Sequence, residues 1–297
     1  MADAATLKPP KPRPTTAAAA GAPGLAPARA FAMLSHRGRV RHANQDACGA
    51  LAEHGAFVVC DGMGGAAGGE VASHLATEVF LDCLAQPGSA TQVRARLAEA
   101  IRVANQTVYR QAQKSPNLHG MGTTLVALLW DEDTQRSKDA RVSPTLWIAH
   151  VGDSRCYLFR SGTLHLLTRD HSLVEEQVRA GVLSRAQATA SPMRNIITRA
   201  IGTQPTVEPE IAACDPRSGD LYLLASDGLS RELDEAAIAR ILARTAGPAA
   251  LAAGCRNSAT PDAALQAALD TACQALVDAA NAKGGHDNIT VLLLACA

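Results

Sequence analysis

The sequence predicts an α+β protein whose paired helices pack outside antiparallel sheets. Two observations lead there. β-rich runs cluster in the middle and at the end of the chain, and helical patterns come in pairs. The one-for-one strand–helix alternation of a doubly wound fold is missing, and no internal repeat is visible.

Residues 1–29 are mostly Ala, Pro, Thr and Gly, with almost no large apolar side chain. Such a segment buries too little surface to offset the entropy lost on ordering, so a disordered tail is expected. Phe57-Val58-Val59-Cys60 reads as a buried strand stopped by Asp61-Gly62. Residues 70–85 read as a helix. Val93, Leu97, Ile101, Ala104 and Val108 recur at steps of four and three, on one face of a second helix. Ser89 and Gln92 would open that helix as a capping box.

The periodicity then changes. Residues 123–130, 145–151 and 156–159 are β-rich, with a polar loop over 131–143. Ser161-Gly162 is a hairpin turn into a strand at 163–167. Residues 171–204 are polar, with short helical segments and no strong core pattern. A strand over 220–226 again ends in Asp-Gly. Helices are expected over 234–245 and 262–282, either side of a Gly/Pro-containing break, and a last strand over 288–295.

Bulk properties exclude several classes. The 297 residues are 47% hydrophobic and 19% charged, as in soluble globular proteins. The formal net charge is 0, so no overall field draws the chain to nucleic acid or to an anionic membrane, and neither is expected as a partner. No apolar run approaches the length of a bilayer span. The N-terminus carries Lys8, Lys11 and Arg13 among prolines, without the apolar stretch of an export signal. The eight cysteines form no C-x-x-C pair. A reduced, cytoplasmic setting is the expectation.

Three acidic residues sit at predicted strand ends: Asp61 after FVVC, Asp227 after LYLLAS, and Asp287 before NITVLLLA. Strands of one sheet can bring such ends together into an oxygen-rich pocket suited to Mg²⁺ or Mn²⁺. Gly62 and Gly228 would let backbone approach, and the Gly62 carbonyl could itself be a ligand. Any one Asp-Gly pair alone is an ordinary turn signal. The nine histidines show no H-x-x-x-H or H-E-x-x-H spacing, which argues against a zinc hydrolase. A G-x-x-x-x-G-K-[ST] phosphate loop is also missing, and Ser154 and Ser226 lack a nucleophile-elbow context.

The set of short motifs resembles the metal-dependent protein phosphatases, the type 2C class, in its bacterial form. Asp61-Gly62-Met63-Gly64-Gly65 is similar to that family's glycine-rich acidic motif. Gly38-Arg39-Val40-Arg41, Asn44-Gln45-Asp46, Gly122-Thr123-Thr124, Val151-Gly152-Asp153-Ser154-Arg155, Ser226-Asp227-Gly228 and Asp287-Asn288 occur in the family's order. The likeness runs from about Phe31 to the C-terminus.

The resemblance implies a four-layer αββα antiparallel β-sandwich over residues 30–297, with a small flap subdomain at 171–204. It implies hydrolysis of phosphoserine and phosphothreonine in proteins by a water bridging two Mn²⁺ or Mg²⁺ ions. Asp61 would bridge the ions, the Gly62 carbonyl would join it on one, and Asp227 and Asp287 would be direct ligands. Asp46 would act mostly through water. Asp153, sharing Asp227, would help hold a third, weaker ion, or else simply cap a strand end. Arg41 matches the phosphate-binding arginine, or is a plain surface charge. Asp61, Asp227 and Arg41 are the expected catalytic residues. The implied partners are phosphorylated proteins and an opposing serine/threonine kinase, with the chain a monomer.

Two residues depart from the family pattern. Gln45 stands where many members have an acid, and Met63 where eukaryotic members have a proton-donating histidine. A thioether donates no proton. The general acid is therefore a metal-bound water or, as a weaker candidate, His42. A catalytically silent phosphoprotein-binding relative and a hydrolase of small phosphate esters are the competing readings.

Overall fold

The computed structural model describes residues 29–86, 92–131, 145–247 and 263–296. The predicted tail, the 131–143 loop, Ser89 and the Gly/Pro break fall wholly or almost wholly outside them. Eleven strands are described: β1 Arg29–His36, β2 Asp46–Leu51, β3 Ala56–Met63, β4 Gly122–Thr123, β5 Leu125–Asp131, β6 Thr145–Val151, β7 Arg155–Arg160, β8 Thr163–Leu166, β9 Glu210–Cys214, β10 Leu221–Ala225 and β11 Ile289–Cys296. The helices are α1 Gly65–Ala85, α2 Val93–Lys114, α3 Leu173–Arg179, α4 Arg185–Ala190, α5 Asp227–Ser230, α6 Glu235–Thr245 and α7 Ala263–Lys283.

The strands form two sheets, ordered β1-β11-β10-β7-β8 and β2-β3-β5-β6-β9, with β4 beside β3. Every strand pairing is antiparallel. Successive side chains on a strand face opposite sides, and here both sides are covered. Ala56, Val58 and Cys60 of β3 pack under α1 and α2, beside Leu97, Ile101 and Val108. Leu221, Leu223 and Ala225 of β10 pack under α6 and α7. The alternate positions, among them Phe57, Val59, Tyr222, Leu224, Leu292 and Leu294, fill the layer between the sheets. The fold is the expected four-layer αββα sandwich. Among the described residues no helix is long and apolar enough to cross a membrane.

Helix α2 buries Leu97, Ile101, Ala104 and Val108 of the predicted stripe, and packs Val93 partly buried against the same core. Gln92 caps it without a side-chain hydrogen bond, so half of the expected capping box is not formed. Helix α1 starts at Gly65, five residues before the sequence expectation. Gly65, Gly68 and Gly69 in its first five residues argue against a helix there by propensity, yet contact requires two of them. A methyl on Gly69 would come within 2.8 Å of the Gly62 backbone, and one on Gly68 within 3.1 Å of Met121 Cβ. Tertiary packing overrides propensity at this end.

Candidate active site

The inward face of the sandwich is apolar along most of its length and polar at one end. Phe57 and Val59 lead to Asp61 on β3; Ala50 and Cys48 lead to Asp46 on β2. Leu128 and Val126 lead to Thr124, and Leu158 and Cys156 to Ser154. On β10, β11 and β1 the same alternation ends in Ser226, Thr290 and Ser35. These residues bond across the gap. Ser226 Oγ donates to Asp46 Oδ2 at 2.8 Å and Thr290 Oγ1 to the same oxygen at 2.7 Å. Thr124 Oγ1 lies 2.7 Å from Ser154 Oγ, and it accepts the Asp61 N–H at 2.9 Å.

This arrangement corrects one expectation. Asp61 lies within β3 of one sheet, whereas Asp227 and Asp287 flank β10 and β11 of the other. The carboxylates meet across the sandwich, because inward-facing positions of both sheets converge at its mouth. Asp227 also opens the short helix α5, rather than standing in a loop.

Backbone contact fixes the rim. Asn288 receives the Gln45 N–H on Oδ1 at 2.8 Å and donates from Nδ2 to Arg37 O and Ala43 O, both at 2.9 Å. It clamps the loop carrying Arg41 to the start of β11. Gly38, at φ 78°, lies where any side chain would strike the Asp287 carbonyl. A cleft of about 620 Å³ opens here, lined by Arg41, His42, Gln45, Asp61, Gly62, Met63, Asp227, Arg231 and Asp287 among others. Asn195 and Ile197 of the 171–204 segment also line it. Asp46 lies behind Asp61, away from the lining.

The electrostatics are strained by design of the chain. Burial raises Asp46 from 3.8 to about 6, against the opposing hydroxyl bonds from Thr290 and Ser226. Burial, then the Asp170 charge, raises Asp153 to about 6, partly offset by Arg231. Asp61 and Asp227 are pushed well above the carboxylate range by burial first, then by the acids around them. Asp46 Oδ1, Asp153 Oδ1 and Asp227 Oδ1 are buried without a hydrogen-bond partner. Each such oxygen is costly unless a cation meets it. An all-oxygen donor set of this kind fits hard divalent ions.

Sequence reasoning passed over four residues of this site: Ser226 and Thr290 as donors to Asp46, the clamp Asn288, and Arg231. Arg231 pairs with Asp227, lies 3.3 Å from Asp287 Oδ2, and 4.0 Å from Asp153 Oδ2. Arg41 reaches the same Asp287 oxygen at 2.8 Å. The hydroxyls were visible as polar positions ending an inward-facing alternation.

The structure also gathers His150, His171 and Glu210, with candidate ligand atoms within 4.8 Å of one another. The rings stack at 4.7 Å. Gly152 N–H points at His171 Nδ1 at 3.2 Å, so the neutral ring carries its proton on Nε2, 3.3 Å from Glu210. His150 Nε2 lies 2.7 Å from the Arg169 carbonyl. Burial, then His150, holds His171 down to about 4. Gly152 N–H on His171 Nδ1, with the His171 N–H on the Gly152 carbonyl at 3.0 Å, ties the start of the 171–204 segment to the Gly152–Asp153 loop.

Comparison with known proteins places this architecture. The family described as protein phosphatase 2C matches residues 35–270. The serine/threonine phosphatase stp of Listeria innocua is 33% identical over 264 residues, covering 87% of this chain and 92% of that protein. A serine/threonine phosphatase structure from S. agalactiae, 32% identical, superposes with a TM-score of 0.74 over 91% of this chain and 100% of its own. The PstP catalytic domain in complex with 2 manganese ions, 31% identical, gives 0.70 over 90% and 97%. Fold and acidic cleft are together those of a protein phosphatase. The chain belongs to the protein phosphatase 2C family, in its bacterial form.

Proposed function

We propose that this chain hydrolyses phosphoserine and phosphothreonine esters in proteins, with two divalent ions held at the mouth of the sandwich. The observation that carries the reading is the pair of buried, unpartnered oxygens on Asp46 and Asp227, beside Asp61. Asp61 would bridge the ions, with the Gly62 carbonyl, Asp227 and Asp287 as further ligands and Asp46 acting through water. When bound, a pair of Mn²⁺ or Mg²⁺ ions lowers the pKa of a shared water toward neutrality, which supplies the nucleophile.

The chain's own residues do the rest. Ser226 and Thr290 fix the Asp46 carboxylate so that Oδ1 faces the cluster. Arg41 is half-exposed at the rim on Asp287. From there its guanidinium fork can take two phosphoryl oxygens and meet the charge that spreads over them. Met63 lines the cleft but offers no proton to the leaving oxygen, so that proton comes from water, with His42 on the same wall as the alternative. Gln45 donates from Nε2 to the Gly65 carbonyl at 2.7 Å, leaving its oxygen for a bound water.

The domain would span residues 30–297, with 171–204 as a flap bearing on substrate choice through Asn195 and Ile197. Phosphoproteins of a serine/threonine kinase are the fitting substrates. A cytoplasmic monomer is the setting we infer; the seven described cysteines, all free, are compatible with it. Phosphate release from a phosphothreonine peptide tests the reading. Activity with Mn²⁺, lost on chelation and in Asp227→Ala, supports it. Activity indifferent to chelator removes the metal chemistry, and metal-dependent cleavage of small esters alone would reassign the substrate.

A further inference from the structure

Arg231 is placed among Asp227, Asp153 and Asp287, and family likeness gave it no role. It follows Asp227 by four residues, across the short helix α5, and its N–H bonds to the Asp227 carbonyl at 2.8 Å. The backbone thus holds both side chains on one face. The guanidinium pairs with Asp227 Oδ2 and lies 4.0 Å from Asp153 Oδ2 and 3.3 Å from Asp287 Oδ2. Asp153 and Asp227 are the two carboxylates that the resemblance assigns to a third, weaker ion.

We propose that Arg231 is a built-in cation standing in the place of that third ion, so that this chain holds two divalent ions and closes the third position. The inference rests on the two-ion reading above. An arginine stays charged at every working pH. A dication entering between Asp153 and Asp227 would have to displace the guanidinium or sit against it, and like charges at such range repel strongly in a buried site. The division of oxygens fits. Arg231 takes Oδ2 of Asp227 and faces Oδ2 of Asp153, while Oδ1 of each remains without a partner. Asp227 can therefore serve an ion of the main pair through Oδ1 while Oδ2 stays on the arginine.

Counting bound Mn²⁺ per chain by equilibrium dialysis and titration calorimetry, up to millimolar ion, tests this without reference to turnover. Wild type and Arg231→Lys, which keeps the charge, are expected to bind two. Arg231→Gln, which keeps length and polarity, is expected to bind a third ion at least tenfold more tightly than wild type does. Arg231→Ala provides a second neutral variant, and circular dichroism checks that each is folded. Three ions on wild type, or no added ion on either folded neutral variant, overturns the proposal while leaving the two-ion chemistry intact. Fewer than two ions on wild type sinks the proposed chemistry and this inference with it.

Discussion

Asp46 and Asp61 are direct cross-strand partners, Asp46 opening β2 and Asp61 near the end of β3. Two acids opposite each other on one sheet face repel. Here Asp46 is also buried and Asp61 half-buried, so the pair is unfavourable in the protein alone. Hydroxyl bonds from Ser226 and Thr290 offset part of that cost, and cations bound in the proposed site would offset more.

That cost has a pH signature. Asp46 is raised from 3.8 to about 6 by burial. An acid with a raised folded pKa binds more protons folded than unfolded, so it costs stability as pH climbs from about 4 to about 6, and fully above that. In chelator, Asp46→Asn is expected to stabilise the protein at pH 7.5 by on the order of 2 kcal/mol, and to give nothing at pH 4. Denaturant melts at the two pH values check it. With Mn²⁺ present the order should reverse, because the variant has lost a group that serves the ions.

Gly62 and Gly228 are places where the backbone admits no side chain. A methyl at Gly62 would strike the carbonyl oxygens of Gly69 and Gln45, and one at Gly228 the carbonyl of Asn288. Each is backbone held by its neighbours, so little can move aside. Gly62→Ala and Gly228→Ala are expected to cost about 3 kcal/mol or more each, read as a fall in the urea midpoint. Gly162→Ala has open space around it but a φ of 81°, and should cost less. Equal losses at all three would refute the packing argument.

Arg41 and Asp287 form a rim ion pair at 2.8 Å, with the arginine side chain 51% exposed. Such a pair contributes little to stability. Arg41→Ala is therefore expected to leave the melting temperature nearly unchanged while raising KM for a phosphopeptide roughly tenfold, a loss near 1.4 kcal/mol. Steady-state kinetics decide. An unchanged KM strips Arg41 of its phosphate-binding role.

His42 lines the cleft, yet water is our assignment for the leaving-group proton. His42→Ala should keep the pH–rate profile of the parent. A lost alkaline limb in that profile would hand the general-acid role to His42.

The layered fold was legible because its helices and its central strands carry clean periodicities, as in Leu97, Ile101, Ala104 and Val108. Strands β1, β2 and β9 were not. β9 is half exposed with alanines, and β2 mixes Gly49 and Cys48 with Asp46, so neither shows the apolar run of a buried strand. The acidic residues were readable as strand-end punctuation, but their meeting across two sheets was not, since sequence does not say which sheet a strand joins. Arg231 was silent for a related reason. Its partners Asp153 and Asp287 lie far away in the chain, and only folding puts all three charges together.

Anomalous diffraction at the manganese edge from crystals grown in Mn²⁺ tests the central claim most directly. The account predicts two peaks about 3.5–4 Å apart, both touching Asp61, with Asp227 and Asp287 completing the set and Asp46 reached through water. A single peak, or two peaks that leave Asp61 uncoordinated, would contradict it.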